Sequence, residues 1–294
     1  MAPITVVGAP SSAGAYAPGQ EDGPGALRAA GLLDALGPET RDAGDVEHFR
    51  WRPDPERPRA ANLGVVADRA GQVAERVTTA LQDDGRVLVL GGDCTTGVGT
   101  VAGFAGRDAG LIYLDRHADL NVPGSTIDGA LDWMGVAHML GVEGAEPELA
   151  GIVGTPPMLA PERLSFLGLA PVSPPEQAII ESLGLPVVSL DRAVADPARA
   201  ARHALDALAG CAEIVVHFDV DVLDFLDAPL AENADRAPGL PLSGAATILE
   251  ELFLDPRTRA LTVTEFNPHH GDAATTARLV EALAGALGRP DGRG

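Results

Sequence analysis

Two short stretches of this chain concentrate groups that bind metal ions or move protons. In the first, Asp115, His117 and Asp119 alternate with Arg116 and Ala118, and Asn121 follows. In the second, Asp219 and Asp221 flank Val220, with Asp224 shortly beyond. If the backbone stays extended, alternate positions share one face, so carboxylates and an imidazole converge at each stretch. Facing one cavity, Asp115, Asp119, Asp219 and Asp221 could not all remain ionised, because burying an unpaired charge costs several kcal/mol. Two divalent cations would offset about four negative charges, and a mixed oxygen and nitrogen donor set suits Mn²⁺ or a close neighbour. Asp also caps helices after strands, which explains one such stretch more readily than two.

Both stretches follow short apolar runs that read as β-strands. Runs of this kind recur at 4–8, weakly near 41–46, and at 86–92, 110–115, 163–169, 185–190, 213–219 and 260–266. Between them lie Ala- and Leu-rich helical patterns, among them 25–37, 67–82, 196–210, 244–253 and 275–287. The runs are continuously apolar, as expected of a parallel sheet covered by helices on both faces. About eight β/α units in one domain spanning 1–294 follow, with the reactive residues at the carboxyl edge. A closed (β/α)₈ barrel and an open doubly wound sheet both fit that count. The Pro- and Gly-rich stretches 16–25, 52–58, 154–161 and 236–241 read as loops within the domain.

Composition narrows the function class. The chain has 294 residues, 46% of them hydrophobic, enough for a large core. A net charge of −21 argues against nucleic acid and anionic membrane surfaces as partners. Lys is absent while Arg, Ala, Gly and Pro abound, a bias we attribute to a GC-rich genome. Cys94 and Cys211 are the only cysteines and lie far apart, which fits a reducing cytoplasm and no disulfide framework. The sequence has no apolar run long enough to span a bilayer, and its first residues do not read as a signal peptide. The expected partner is a small-molecule substrate.

The motifs GGDC (91–94), DRHADLN (115–121), HFDVDVLD (217–224) and EFNP (265–268) resemble, in order and spacing, those of the ureohydrolases: arginase, agmatinase and formiminoglutamase. The segment 8–33 is most similar to arginase. The resemblance implies a three-layer α/β/α fold with an open eight-stranded parallel sheet, and a homo-oligomer, trimer or hexamer. It implies that Asp115 and Asp219 bridge two Mn²⁺ ions, that Asp119 binds one of them, and that His117 and Asp221 bind the other. A hydroxide held between the metals would then attack a guanidinium carbon, with Glu265 holding the guanidinium. Asp119, Asp132 and Glu265 fall at the reacting end. Asn121 and Thr126 match residues that bind the α-carboxylate of L-arginine.

Several positions depart from the family pattern. Cys94 stands where the first metal has a His ligand; a thiolate shifts preference towards Zn²⁺, Fe²⁺ or Co²⁺, and a neutral thiol leaves the site weak. Asp132 stands where arginase carries a proton-shuttling His, and two cations oppose the raised pKa that such a role requires. His138 is an alternative donor or a satisfied helix histidine. Asp128 replaces a Ser and would repel a substrate carboxylate, and Ser173 replaces an Asp that contacts the α-ammonium. His217 reads as a supporting or core residue, and His269 and His270 as residues of the rim. The leading reading is a metal-dependent hydrolase of a linear amidine or guanidino compound, with L-arginine not favoured. The alternatives are a degenerate, non-catalytic protein of the same fold with a regulatory or assembly role, and an unrelated (β/α)₈ metallohydrolase.

Overall fold

Every β-rich run of the sequence is a strand in the computed structural model, which describes residues 3–126, 128–154 and 156–288. In chain order these are β1 (Ile4–Ala9), β2 (Thr40–Asp45), β3 (Arg86–Gly91), β4 (Ala109–Leu114), β5 (Leu164–Leu169), β6 (Val187–Ser189), β7 (Glu213–Asp219) and β8 (Thr258–Thr264). All pair in parallel in one sheet of order β2-β1-β3-β8-β7-β4-β5-β6. Its ends, β2 and β6, do not meet, so the sheet is open and the barrel alternative is excluded.

Burial on both faces explains why the runs are continuous. Val87, Val89, Leu111 and Tyr113 enter one apolar layer, while Leu88, Leu90, Ile112 and Leu114 enter the other. The helix Leu63–Ala80 supplies Leu63, Val66, Ala70, Val73 and Val77 to the first layer at helical spacing. The helices Leu242–Leu254 and Ala273–Leu287 cover the other face. β2 carries the polar run Thr40–Asp45, tolerable because it lies at an edge. The expected helix over 25–37 is instead two, Gly23–Ala29 and Leu32–Leu36, separated at Gly31, whose φ of 88° belongs to the left-handed region.

β3, β8, β7 and β4 are neighbours at the centre of the sheet. Cys94 lies just beyond β3, Glu265 directly follows β8, Asp219 ends β7, and Asp115 directly follows β4. The last two strands thus insert between β3 and β4, where the sheet order reverses. Open α/β sheets form their crevice at such a point.

Candidate metal centre

The paired acidic stretches converge, but not through an extended backbone. Asp115 Oδ1 accepts the His117 backbone N–H at 2.7 Å, and Asp219 Oδ1 accepts that of Asp221 at the same distance. Each Asp therefore closes a turn on the residue two positions on, which brings the second side chain back beside the first. This replaces the alternation argument. Asp119 then takes a φ of 49° and Glu265 a φ of 63°; with Asn62 they are the non-glycine residues of positive φ among the described residues. Such backbone costs about 1–3 kcal/mol and persists where surrounding bonds hold it. Here the Glu265 N–H donates to Gly92 O at 2.7 Å, and Asp119 O accepts the Ala137 N–H at 3.1 Å.

One donor atom each from Asp115, His117, Asp219 and Asp221 lies within 4.8 Å of all the others. His117 Nδ1 is 3.0 Å from an Asp221 oxygen and 3.5 Å from Asp115 Oδ1. Burial alone would lower the His117 pKa, yet the Asp221 and Asp115 charges raise it to about 12. Burial, then the Asp221 charge, lifts Asp115 to about 6. Asp119, Asp219 and Glu265 are raised well above the carboxylate range by burial and by neighbouring acids. Asp115 Oδ2 and Asp221 Oδ1 are buried without a hydrogen-bond partner. Acceptors crowded by like charge and lacking donors fit divalent cations, which also render His117 neutral.

Two further groups share Cys94. Its sulfur forms one with Asp115 and His217, and another with Asp132 and Glu265. The Cys94 N–H is shared between Asp132 Oδ1 at 2.8 Å and Glu265 Oε1 at 3.1 Å. Burial, then the Asp93 charge, raises Asp132 to about 8, and a hydrogen bond joins it to Glu265. Gln20 Nε2 donates to Glu265 Oε2 at 3.1 Å. The Cys94 thiol is pushed well up, first by burial and then by Asp219, so without a cation it donates to Asp219 Oδ2 at 3.1 Å. Burial lowers His217 to about 3. Among the described residues, Asp119 joins none of these groups; its Oδ2 accepts from the Tyr113 hydroxyl at 2.5 Å.

Aromatic rings narrow the mouth. Tyr16 stacks on Trp133 at 5.8 Å, and Trp133 stands edge-on to His117 at 6.1 Å. The cavity beneath has a free volume of about 10 Å³, about room for a single water. Tyr16, Cys94, His117, Asp119, Asp132, Trp133, Asp219, Asp221, Asn233 and Glu265 line it, with no Arg or Lys among those described.

Other expected residues lie elsewhere. Asn121, Thr126 and Asp128 are outside the described lining. Asn121 Oδ1 accepts from Ser125, and Asp128 Oδ1 accepts the Ala130 N–H at 3.2 Å. Asp128 is exposed, so the expected repulsion inside a closed site is corrected to a screened surface charge. Ser173 caps the helix Pro174–Leu183 through Glu176. His138 is a satisfied helix histidine: Nδ1 meets Met134 O at 2.7 Å and Nε2 accepts the Glu146 N–H at 3.0 Å. Asp224 accepts the Leu226 N–H, and His269 pairs with Asp22 at the rim. Tyr16, Gln20, Tyr113 and Asn233 were not singled out by the sequence; only the Tyr in the Gly- and Pro-rich loop 16–25 carried any signal, as an aromatic within a loop.

A family model described as "Arginase family" matches residues 2–288. The chain is 31% identical to "Arginase-2, mitochondrial" of Homo sapiens, covering 97% of this chain and 85% of that one. The crystal structure of arginase from Bacillus subtilis superposes with a TM-score of 0.86 at 26% identity, covering 98% and 99% of the two chains. Formimidoylglutamase from Bacillus subtilis superposes with a TM-score of 0.75 at 19% identity, covering 98% of this chain and 87% of that chain, a likeness of fold alone.

Proposed function

The chain belongs to the arginase family, a family of C–N hydrolases, and on that premise we propose that it cleaves a linear guanidino or amidine compound whose tail is an amine or neutral. The observation that carries this reading is the cluster of Asp115, His117, Asp219 and Asp221 donors within 4.8 Å, next to a buried Glu265. Two divalent cations, Mn²⁺ at the oxygen and nitrogen set, would supply Lewis acidity and a water of lowered pKa.

The chain's own groups do the rest. Glu265, hydrogen-bonded to Asp132, would release its proton to solvent as a guanidinium enters and hold that cation through a charge-assisted contact. Tyr16 and Trp133 narrow the entrance above the site, and substrate entry requires more room than the cavity of about 10 Å³ offers. The lining holds five carboxylates and no Arg or Lys, a charge balance that favours amine or neutral tails over the carboxylate of L-arginine. One sheet carrying all eight strands supports the one-domain reading of 1–294. The free, buried Cys94 and Cys211 support a reducing compartment. Among the described residues no helix is long and apolar enough to cross a membrane. A homo-oligomer rests on the family resemblance.

The narrow cavity, with Cys94 and Asp132 in it, also favours a second reading, a non-catalytic family member. The deciding experiment is urea or ammonia release from agmatine, guanidinobutyrate, formiminoglutamate and L-arginine, each with saturating Mn²⁺, Zn²⁺, Fe²⁺ or Co²⁺. Turnover of an amine or neutral guanidino compound ahead of L-arginine is expected. Efficient L-arginine hydrolysis overturns the substrate assignment, and silence throughout favours the second reading.

A further inference from the structure

We infer that His217 completes the metal site at Cys94, so that Cys94, His217 and Asp115 form a sulfur, nitrogen and oxygen donor set selective for a borderline-soft cation such as Zn²⁺ or Co²⁺. This rests on the dinuclear reading above and deepens it: the two halves of the centre then differ in metal preference, the Asp115–His117–Asp219–Asp221 half suiting Mn²⁺.

The geometry carries it. Cys94 Sγ and His217 Nε2 are 3.4 Å apart. A tetrahedral ion with bonds of about 2.3 Å to sulfur and about 2.0–2.1 Å to nitrogen sets those donors about 3.5 Å apart. An Asp115 oxygen lies within 4.8 Å of both donors, and all three residues are buried. Asp115 Oδ1 is engaged by the His117 N–H, while Asp115 Oδ2 has no partner.

The fold clamps the His217 ring in this pose. His217 and Tyr113 are register partners on β7 and β4, and their rings stack at 4.2 Å. Gly97 clears the far edge: a Cβ there would come within 2.6 Å of His217 Nδ1. His217 Nδ1 is buried without a partner, so every polar contact of the ring is on the Nε2 side, to Cys94 and to Thr264 Oγ1 at 3.1 Å. Cation binding releases the Cys94 thiol proton to solvent and forms the metal–sulfur bond, with no change of oxidation state.

The test is metal loading of the full chain, read without activity. Metal-free protein titrated with Co²⁺ should develop thiolate charge-transfer absorption with its first equivalent, and Mn²⁺ should not displace that equivalent. X-ray absorption of protein carrying one equivalent of Zn²⁺ should show one sulfur at about 2.3 Å together with imidazole. Cys94→Ser should abolish the charge-transfer band. His217→Gln should weaken the first equivalent by more than the roughly 10–100-fold typical of an outer partner, while retaining Mn²⁺ at the other half as proof of folding. An unchanged Co²⁺ affinity and spectrum in His217→Gln, or a zinc shell without imidazole, overturns the inference. Loading confined to the oxygen-rich half without a sulfur band overturns it too but leaves the proposed hydrolase standing; absence of metal binding at either half overturns both.

Discussion

The Tyr113 hydroxyl donates to Asp119 Oδ2 at 2.5 Å, deep beneath the acidic cluster. This bond links the middle of the sheet to the turn after β4, where Asp119 holds its left-handed backbone. In the metal-free protein burial raises the Asp119 pKa well above the carboxylate range, so the bond is to a largely protonated group. Cation loading ionises it and strengthens the bond. Tyr113→Phe should therefore cost about 1 kcal/mol in the metal-free protein and about 1.5–3 kcal/mol in the loaded one. Denaturant melts of both proteins in both states measure this. Equal losses would mean that Asp119 does not change charge on loading.

Removing a shared ligand should empty the centre. Asp115 and Asp219 lie at the ends of adjacent strands β4 and β7, and donor atoms of both lie in the oxygen-rich cluster. Asp115→Ala should bring bound metal close to zero by elemental analysis, and Asp219→Ala should remove at least the ion of the oxygen-rich half. In the unmodified protein, two sites saturated at about a hundredfold over Kd contribute about 5 kcal/mol. Chelation should then lower the Tm by about 10 °C, at about 2 °C per kcal/mol for a chain of this size. Either variant retaining two equivalents would refute the shared-ligand assignment.

The central strands were legible because both sheet faces are buried, which turns them into continuous apolar runs such as 87–90. Asp115, His117, Asp219 and Asp221 were legible because the turn that gathers them is local to each stretch. The helix Thr96–Ala102 was not, since its glycines give no apolar period; Gly99 lies where a Cβ would come within 2.6 Å of Ala70 O. Tyr16, Gln20 and Asn233 reach the site from segments remote in sequence, and no local pattern marks them. Asp128 follows the site residues closely in sequence yet is exposed, a fact that spacing cannot supply. His217 occupies a strand interior, where a ligand and a core residue read alike.

Metal-free protein should lose stability as pH rises. Burial raises Asp115 to about 6 and Asp132 to about 8, against about 3.9 in an unfolded chain. Between those values the folded state holds more protons, so stability is complete below the unfolded pKa and falls until pH passes the folded one. Each such group contributes a slope of about 1.4 kcal/mol per pH unit. Asp42 and Asp255 have lowered pKa values, burial being outweighed by bonds to Arg28 and Arg257. Their stabilisation is lost only as pH falls through the folded value, so they do not act in this window. Asp132→Asn should flatten the fall in metal-free Tm between about pH 5 and about pH 8. A wild-type Tm that rises through that range would refute the buried-proton account.

Asp132→His should accelerate turnover. The leaving amine takes up a proton as the C–N bond breaks, and position 132 lies in the cavity with its Oδ1 on the Cys94 N–H. Loaded cations drive an aspartate there towards its ionised form, which leaves it a poor donor and pushes the rate optimum to alkaline pH. An imidazole can accept the Cys94 N–H through one nitrogen and still carry a proton near neutrality. We expect kcat to rise by about 10- to 100-fold and the optimum to move towards neutral pH, with KM little changed. Asp128→Ser is the control: that carboxylate is exposed and screened, so kcat/KM should shift by less than about threefold. The measurement is the pH dependence of kcat for each variant at full metal occupancy. A fully loaded Asp132→His that is slower than the unmodified enzyme, with a raised KM, would remove Asp132 from proton transfer. Its place would then be beside Glu265 as a second carboxylate gripping the guanidinium, since loss of that charge weakens substrate binding while leaving the proton's route untouched.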